Sequence, residues 1–308
     1  MIGKRTVLVL GAGASADCGF PTGIQLIEKI DKLLSSPQSL DPDFLKAFRL
    51  AKIDGFKELR KKLRGAVSID SFLQFNHQYS DIGKWLIAMA LSSCEKEEYL
   101  YREKSNWYWT FFNSMKDQLA DFGHRVGIIT FNYDRSLEYA MLLFLLDNYN
   151  NPEMSMCIRQ IKNIPIYHIH GHLGDLPGFS KDGLNEYPYG EVNIRNAANN
   201  IKIIHDGNIE DSYQLRHAKE LIEEAEVISF LGFGYHQINL IRLTNKIKET
   251  TRIIRGEECP LKVYGTAFDL DAATREFVES HISGITLEQC KIDQMFKKHN
   301  ILSVRHGW

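Results

Sequence analysis

Short aliphatic runs separated by long amphipathic stretches set the pattern of this chain. The first run, Thr6–Leu10, has four aliphatic residues and three β-branched ones, and it is too short for a buried helix. Four further runs also predict buried strands. They are Arg125–Thr130, Ile164–His170, Glu226–Leu231 and Lys262–Tyr264, the last with Gly265 and Thr266 as its turn.

Apolar positions at helical spacing fill the segments between these runs. The predicted helices are one around Ile24–Ile30 and four later ones, over Ser136–Leu146, Asp211–Glu224, Asp271–Val278 and Thr286–His299. Residues 43–120 also indicate helices, with aromatic side chains that we interpret as core and an imperfect capping box from Ser68 to Ser71. The alternation predicts an α/β fold: a doubly wound, Rossmann-like parallel sheet with a helical insertion after the first βα unit. We expect a single domain over residues 1–308.

Composition and charge narrow the class of protein. Of 308 residues, 44% are hydrophobic, which supports a packed core. The formal net charge of −2 gives no concentrated positive field for nucleic acid or a membrane surface. The five cysteines form no CxxC pair, and neither a signal peptide nor a long uncharged apolar run is evident. We therefore expect a cytoplasmic protein.

A glycine-rich turn follows the first predicted strand. The sequence Gly11–Ser15 (GAGAS) stands between this strand and the first helix, where backbone N–H groups bind phosphate. In the GxGxxG spacing Ala16 takes the third position, which tolerates alanine. The acidic residue expected about 20 positions later is not clearly placed, and Asp31 is the nearest candidate. A tight turn without a ligand is the alternative.

Polar residues follow the next two predicted strands. Asn132 and Asp134 come after the second strand, where α/β sheets place ligand chemistry. They also suit a turn residue and a helix N-cap. His168, His170 and His172 surround the end of the third strand and raise a metal site, with one functional and two structural histidines as the alternative.

Two later segments complete the pattern. Residues 174–200 predict a long loop over the strand ends, either a mobile lid or a plain surface excursion. The fourth predicted strand leads into a second glycine turn that contains Gly232 and Gly234. In a doubly wound sheet such strand ends converge on one crevice.

Taken in order, these strand-end motifs resemble the sirtuin-like family of NAD-consuming proteins. Gly11–Ser15 resembles the family's GAG-x-S nucleotide loop, and Gly19 and Pro21 stand where it has G-[IF]-P. Thr130–Asp134 (TFNYD) resembles its T-x-N-x-D motif, and His170 with the next glycine resembles its catalytic His-Gly. The second glycine turn falls in the late motif that holds the adenosine ribose.

The resemblance implies roles for individual residues. Asn132 and His170 would be catalytic, with His170 as a general base on water or a ribose hydroxyl and Asn132 orienting the water or the ribose. The remaining implied residues bind the cofactor, NAD+. They are Gly11, Ala12, Gly13, Ser15, Asp17, Phe20, Pro21, Asp134, Gly232 and Gly234.

Two differences from the sirtuin deacylases indicate which branch of the family the sequence resembles. Thr22 and Gly23 replace their Phe-Arg pair, and no cysteine lies between Cys157 and Cys259, where they carry a zinc module. The sequence therefore resembles the branch without that module, which hydrolyses NAD and occurs in bacterial anti-phage systems. This branch implies NAD+ as substrate, no metal, a homo-oligomer and, as one possible separate partner, an ATPase.

Three other interpretations compete with an NAD+ glycohydrolase. The first is a sirtuin-like ADP-ribosyltransferase or deacylase, against which the missing zinc module weighs. The second is a sensor or regulatory subunit that binds NAD+ or ADP-ribose without turnover. The third is a metallohydrolase that uses His168, His170 and His172.

Overall fold

The computed structural model describes most of the chain. The described residues are 4–36, 38, 40–48, 53–66, 68–100, 106–115, 125–150, 152–181, 183, 185–203, 209–244, 247, 251–254, 257–299 and 301. Within them the strands are β1 (Thr6–Leu10), β2 (Val126–Thr130), β3 (Ile166–His168), β4 (Val227–Leu231), β5 (Thr251–Ile254), β6 (Glu257–Pro260), β7 (Lys262–Thr266) and β8 (Ile285–Glu288).

The described helices flank these strands along the whole chain. They are α1 (Gly23–Ser35), α2 (Pro42–Phe48), α3 (Ile53–Leu63), α4 (Ile69–Phe75), α5 (Ser80–Ser92), α6 (Glu97–Leu100), α7 (Trp107–Met115), α8 (Ser136–Asn148), α9 (Met154–Lys162), α10 (Ile194–Asn200), α11 (Tyr213–Glu224), α12 (Gln237–Thr244), α13 (Ala272–His281) and α14 (Ile292–His299). None of these helices is long and apolar enough to cross a bilayer.

Six strands form one sheet in the order β3-β2-β1-β4-β7-β8, and every neighbouring pair is parallel. The chain begins in the middle of the sheet, so Leu8 pairs with Ile128 on one side and Ser229 on the other. The order reverses between β1 and β4, which is where doubly wound sheets open a crevice. The predicted α/β, Rossmann-like fold is confirmed.

Side chains of the central strands alternate between two hydrophobic cores. In β1, Leu8 and Leu10 belong to one buried cluster, whereas Val7 and Val9 belong to the other. This period of two places helices on both faces of the sheet and explains why the strand reads as continuously apolar.

Helices α2 to α7 stand between α1 and β2, as the predicted insertion requires. Most described aromatic residues of this segment are core, as predicted: Phe44, Trp107 and Phe111 are buried in the first cluster. Phe75 is an exception, because its side chain is exposed. The Trp107 indole donates a hydrogen bond to the Ala14 carbonyl (2.7 Å), which ties the insertion to the first glycine turn. The capping box of Ser68 is present. The predicted end of the insertion at residue 120 lies outside the described residues.

Three predicted boundaries near strand ends were wrong. Residues Ile285–Glu288 form β8, paired with β7, and not the start of a helix. The strand β7 continues through Gly265 and Thr266, which were predicted as a turn. The strand β3 covers only the middle of the predicted Ile164–His170 run, because pairing with β2 ends at His168. Four-residue strands carry too little periodicity to separate them from a helix start.

Other elements were missed or only partly predicted. Helix α9 and the β5–β6 hairpin were not predicted. Helix α10 closes the segment that was read as a loop over residues 174–200.

A buried guanidinium fixes the loop over residues 174–200 to the insertion. Arg135 donates two hydrogen bonds to the Glu95 carboxylate, at 2.8 and 2.6 Å. It also donates to the carbonyls of Tyr187 (2.7 Å) and Asp175 (3.2 Å). A mobile lid would have to break the hydrogen bonds from the buried Arg135 to these carbonyls and that from the Gly190 amide to Glu95 (2.9 Å), so the structure favours the alternative of a fixed excursion.

Candidate active site at the carboxyl ends of the strands

The two glycine turns lie backbone against backbone at the switch point. Gly11 donates to the Leu231 carbonyl (3.1 Å) and Gly13 to the Gly232 carbonyl (2.9 Å). Gly232 has a φ of +56°, and a Cβ there would overlap the backbone of Gly13 and Ala14. Glycine is needed at this position for both reasons.

This packing limits the predicted phosphate cradle. The amide of Gly13 is used by Gly232, and that of Ala14 donates to the Gly11 carbonyl (2.8 Å). The expectation of free N–H groups is therefore wrong for these two amides. A phosphate at this turn has to use other donors.

Asn132 is fixed by hydrogen bonds on nearly all its polar groups. Its side-chain Nδ2 donates to the Gly11 carbonyl (3.0 Å) and to Ser15 Oγ (3.2 Å). Its backbone N–H donates to Thr130 Oγ1 (3.0 Å). The Gly11 carbonyl cannot donate, so it fixes which end of the amide is nitrogen. Oδ1 accepts no hydrogen bond from the described residues and is left for a ligand.

The buried Ser15 hydroxyl and Asp134 carboxylate extend the hydrogen-bond network of Asn132. Ser15 Oγ donates to Asp134 Oδ2 (2.8 Å), and the other Asp134 oxygen accepts from the backbone N–H (3.1 Å) and hydroxyl of Ser136. The Ser136 hydroxyl in turn is hydrogen-bonded to Tyr108 (2.8 Å). Burial raises the pKa of Asp134, and its hydrogen bonds with Ser136 and Ser15 oppose that rise. Asp134 thus holds the start of α8, and its direct contact with NAD+ stays a prediction.

His170 lies beside Asn132 and is 3% exposed. Its ring stands 5.4 Å from the ring of Phe131 and 6.1 Å from that of Tyr133, the two neighbours of Asn132. Burial lowers the pKa of His170 below its ordinary value of 6.5, so the imidazole is neutral near pH 7. The structure therefore places the His170 ring against the two residues that flank Asn132 in the chain.

The partners of His170 favour one tautomer. Nδ1 lies 3.2 Å from the Lys202 carbonyl, which only accepts, so Nδ1 carries the proton. Nε2 lies 3.2 Å from the amide of Asn239, whose oxygen and nitrogen ends are interchangeable. Nε2 consequently keeps the lone pair of a base.

The insertion contributes a site residue that was not predicted. Tyr133 donates from its hydroxyl to Asp70 Oδ1 (2.9 Å). Burial lowers the pKa values of both His170 and His236, and the negative charge of Asp70 opposes that lowering. Asp70 and Tyr133 are 63 positions apart, and the sequence signal at Asp70 is that of a helix start.

The other predicted cofactor-binding residues occupy different environments. Phe20 is 3% exposed and part of the first core, so it packs under the turn. Ala12, Asp17 and Pro21 are half-buried, whereas Gly234 is exposed with open space around it. Asp31, the ribose candidate, is bound by Arg60 of the insertion at 2.8 and 2.9 Å.

The three predicted metal ligands have different hydrogen-bond partners. His168 is hydrogen-bonded to Glu138 (2.7 Å), whereas His170 faces Asn239 and Lys202. The described part of the chain contains no group of three or more His, Cys, Asp or Glu residues arranged to hold a metal. The geometry gives the metallohydrolase no ligand set.

No family model and no curated protein matches this sequence. Among solved structures, the chain aligns with a Sir2 homolog–NAD complex at 15% identity and a TM-score of 0.42, covering 98% of this chain and 89% of the other. It aligns with Sir2Tm bound to a propionylated peptide at 12% identity and a TM-score of 0.40, covering 97% and 95%. A mutant Sir2 homologue with 2′-O-acetyl ADP ribose gives 14% identity and 0.41, covering 99% and 96%.

These likenesses assign neither a family nor an activity at such identities and TM-scores. The function has to come from the site's own residues. They offer an amide oxygen with no partner in the described chain, a neutral imidazole beside it, and two glycine turns at the switch point.

Proposed function

We propose that this protein is an NAD+ glycohydrolase that cleaves the nicotinamide–ribose bond to give nicotinamide and ADP-ribose. The observation that carries the proposal is the fixed Asn132 amide beside the neutral His170 imidazole, at the crevice where doubly wound sheets bind dinucleotides. The resemblance of the ordered strand-end motifs to the sirtuin-like family supports NAD+ as the ligand.

The chemistry asks little of the protein beyond placement and one proton transfer. As the bond from ribose C1′ to the nicotinamide nitrogen breaks, its electron pair goes to the ring and cancels the positive charge there. A water oxygen bonds to the resulting oxocarbenium-like carbon. Asn132 Oδ1 accepts a hydrogen bond from this water or from a ribose hydroxyl, and His170 Nε2 takes the water's proton in place of its hydrogen bond with Asn239.

Chromatography of the products tests the proposal. Purified wild-type protein should release nicotinamide and ADP-ribose from NAD+, and Asn132→Ala and His170→Ala should each lower turnover by at least about 100-fold. Asn148→Ala and His217→Ala are matched controls, because Asn148 caps only its own helix and His217 pairs with Glu220 on α11. Both controls should keep wild-type turnover.

The outcomes separate the competing functions. Full turnover in both Asn132→Ala and His170→Ala would refute the assigned roles. NAD+ binding without any release of nicotinamide, by the protein alone and in its native assembly, would support a sensor instead. Transfer of ADP-ribose to protein would support a transferase.

The biological role that we propose is depletion of cellular NAD+ in anti-phage defence, by a homo-oligomer that a separate partner holds inactive. Expression in bacteria tests the first part: the wild type should lower the NAD+ content of the cells, and Asn132→Ala should not. Light scattering of the purified protein tests the oligomer. Unchanged cellular NAD+ during phage infection would contradict the defence role.

A further inference from the structure

His168 bridges the catalytic turn and helix α8. Its Nδ1 lies 3.1 Å from the backbone carbonyl of Asn132, and its Nε2 lies 2.7 Å from Glu138 Oε1. Both side chains of this pair are largely buried, at 10% and 15% exposure. The mechanism above uses neither of them.

Both partners of His168 are hydrogen-bond acceptors. A carbonyl and a carboxylate have no proton to donate, so satisfying both requires an N–H on each ring nitrogen, which is the imidazolium form. Burial alone would lower the pKa of His168, but the Glu138 carboxylate outweighs it and the pKa is raised. Burial alone would raise the pKa of Glu138, but the charge and hydrogen bond of His168, with the backbone hydrogen bond and His172, together lower it.

The other charged groups around His168 do not offer it a second partner. Asp134 adds a smaller attraction from the β2–α8 turn, but both its oxygens are already used. His172 is kept neutral, because burial and the charge of His168 lower its pKa to about 4. Asp175 faces His172 at 3.9 Å. Glu138 is therefore the carboxylate that stabilises the cation.

This arrangement differs from that of His170. The Asn239 amide can present its nitrogen to His170 Nε2, so a neutral ring is satisfied there. Glu138 as a carboxylate offers no such choice to His168. The surroundings of His170 thus favour a neutral base, whereas those of His168 favour a cation.

We propose that His168 is a positioning residue for Asn132, acting as an imidazolium that holds its carbonyl. With this hydrogen bond, the N–H, the carbonyl and the side-chain nitrogen of Asn132 are all fixed, and Oδ1 alone is left for the ligand. The effect on catalysis rests on the proposed function. The positive charge of His168 and its hydrogen bond to the Asn132 carbonyl, here called the clamp, do not rest on it.

A cavity borders the pair formed by His168 and Glu138. Glu138, His168, His172 and Asp175 line a cavity of about 270 Å³ with the apolar residues of β3 and α9.

Glu138→Gln tests the clamp with little change of shape. The negative charge is gone, so the ring loses its second proton near neutral pH. If the glutamine oxygen faces Nε2, the remaining proton stays on Nε2 and Asn132 loses its donor; if the glutamine nitrogen faces Nε2, the proton stays on Nδ1, and the ¹⁵N spectrum distinguishes the two cases. Glu97→Gln is the matched control. Glu97 is exposed, and it accepts a hydrogen bond (2.6 Å) from Tyr139, which follows Glu138 on helix α8.

Two measurements are needed. Imidazole ¹⁵N NMR at pH 7.5 should show His168 protonated on both nitrogens in wild type and in Glu97→Gln, but on one nitrogen in Glu138→Gln, with a shifted Asn132 carbonyl ¹³C resonance. NAD+ turnover of Glu138→Gln should fall by roughly 10- to 100-fold at that pH. The deficit should shrink toward pH 6 as His168 regains its proton.

Each result decides a separate point. A neutral His168 in the wild type overturns the proposal whether or not the protein hydrolyses NAD+. A charged His168 with an unchanged Asn132 resonance and unchanged turnover in Glu138→Gln also overturns it and leaves the glycohydrolase intact. A wild type without turnover refutes the proposed function, and the NMR result then decides the clamp alone.

Discussion

Asn132 shows how one residue can be specified by its whole surroundings. Gly11, Ser15, Thr130 and His168 each take one of its hydrogen-bonding positions, and they come from three different strand ends. Such fixation is what a catalytic amide requires, because a small displacement of an orienting group costs much of its effect.

The lowered pKa of His170 predicts the pH dependence of turnover. The base must be neutral, so kcat/KM should rise with pH through a pKa below 6.5 and be level above it. The charge of Asp70 opposes the lowering of that pKa by burial, so Asp70→Asn should move the rise to lower pH. A pH–rate profile measures the shift.

Asp81→Asn is the control for this profile, because Asp81 occupies the first turn of α5 in the same insertion. It should leave the profile where the wild type has it. If Asp70→Asn moved the rise to higher pH or not at all, Asp70 would not act on the base.

Residue-scale prediction from the sequence succeeded where a motif kept its spacing. The turn with Asn132 and the His-Gly pair with His170 could be located because each stands at the end of a predicted strand. Asp70 could not, since the contact to Tyr133 depends on how the insertion folds back over the sheet. Nor could the state of His168, which depends on a carboxylate 30 positions away.

At the scale of elements, the contact between the two glycine turns determines the shape of the crevice. Gly232→Ala should destabilise the protein by at least about 2 kcal/mol, because the left-handed φ and the overlap with the first turn both act against a side chain. Gly234→Ala should stay within about 0.5 kcal/mol, since open space surrounds that position. Urea unfolding curves measure both values.

Equal effects of the two alanine substitutions would mean that the turns do not pack as described. The pair also separates fold from binding. If Gly234 contacts the ribose, as the resemblance implies, Gly234→Ala should raise the KM for NAD+ without lowering stability.

The bounds of a strand could be predicted where both faces of the strand are buried. β1, β2 and β4 are covered on both faces and read as unbroken apolar runs. β8 is one of the two edge strands of the sheet and only partly buried, so its residues Ile285–Glu288 lack that signal. The same reason hid the β5–β6 hairpin, which pairs outside the main sheet.

At the scale of the whole molecule, the strand order accounts for the site. Starting in the centre and winding outward in both directions, the chain brings the ends of β1, β2, β3 and β4 to one edge as four adjacent strands. The order of the motifs in the sequence therefore predicts that they lie next to one another. Contacts made by long-range ion pairs, such as Arg135 with Glu95, cannot be predicted from local sequence patterns.

The most direct test is a crystal structure of His170→Ala soaked with NAD+, a variant that should bind the dinucleotide without cleaving it. The pyrophosphate should lie at the turn Gly11–Ser15, and the nicotinamide ribose should have its C1′ or a hydroxyl next to Asn132 Oδ1 and the vacated imidazole position. A dinucleotide bound elsewhere, or one whose nicotinamide ribose points away from Asn132, would contradict the account.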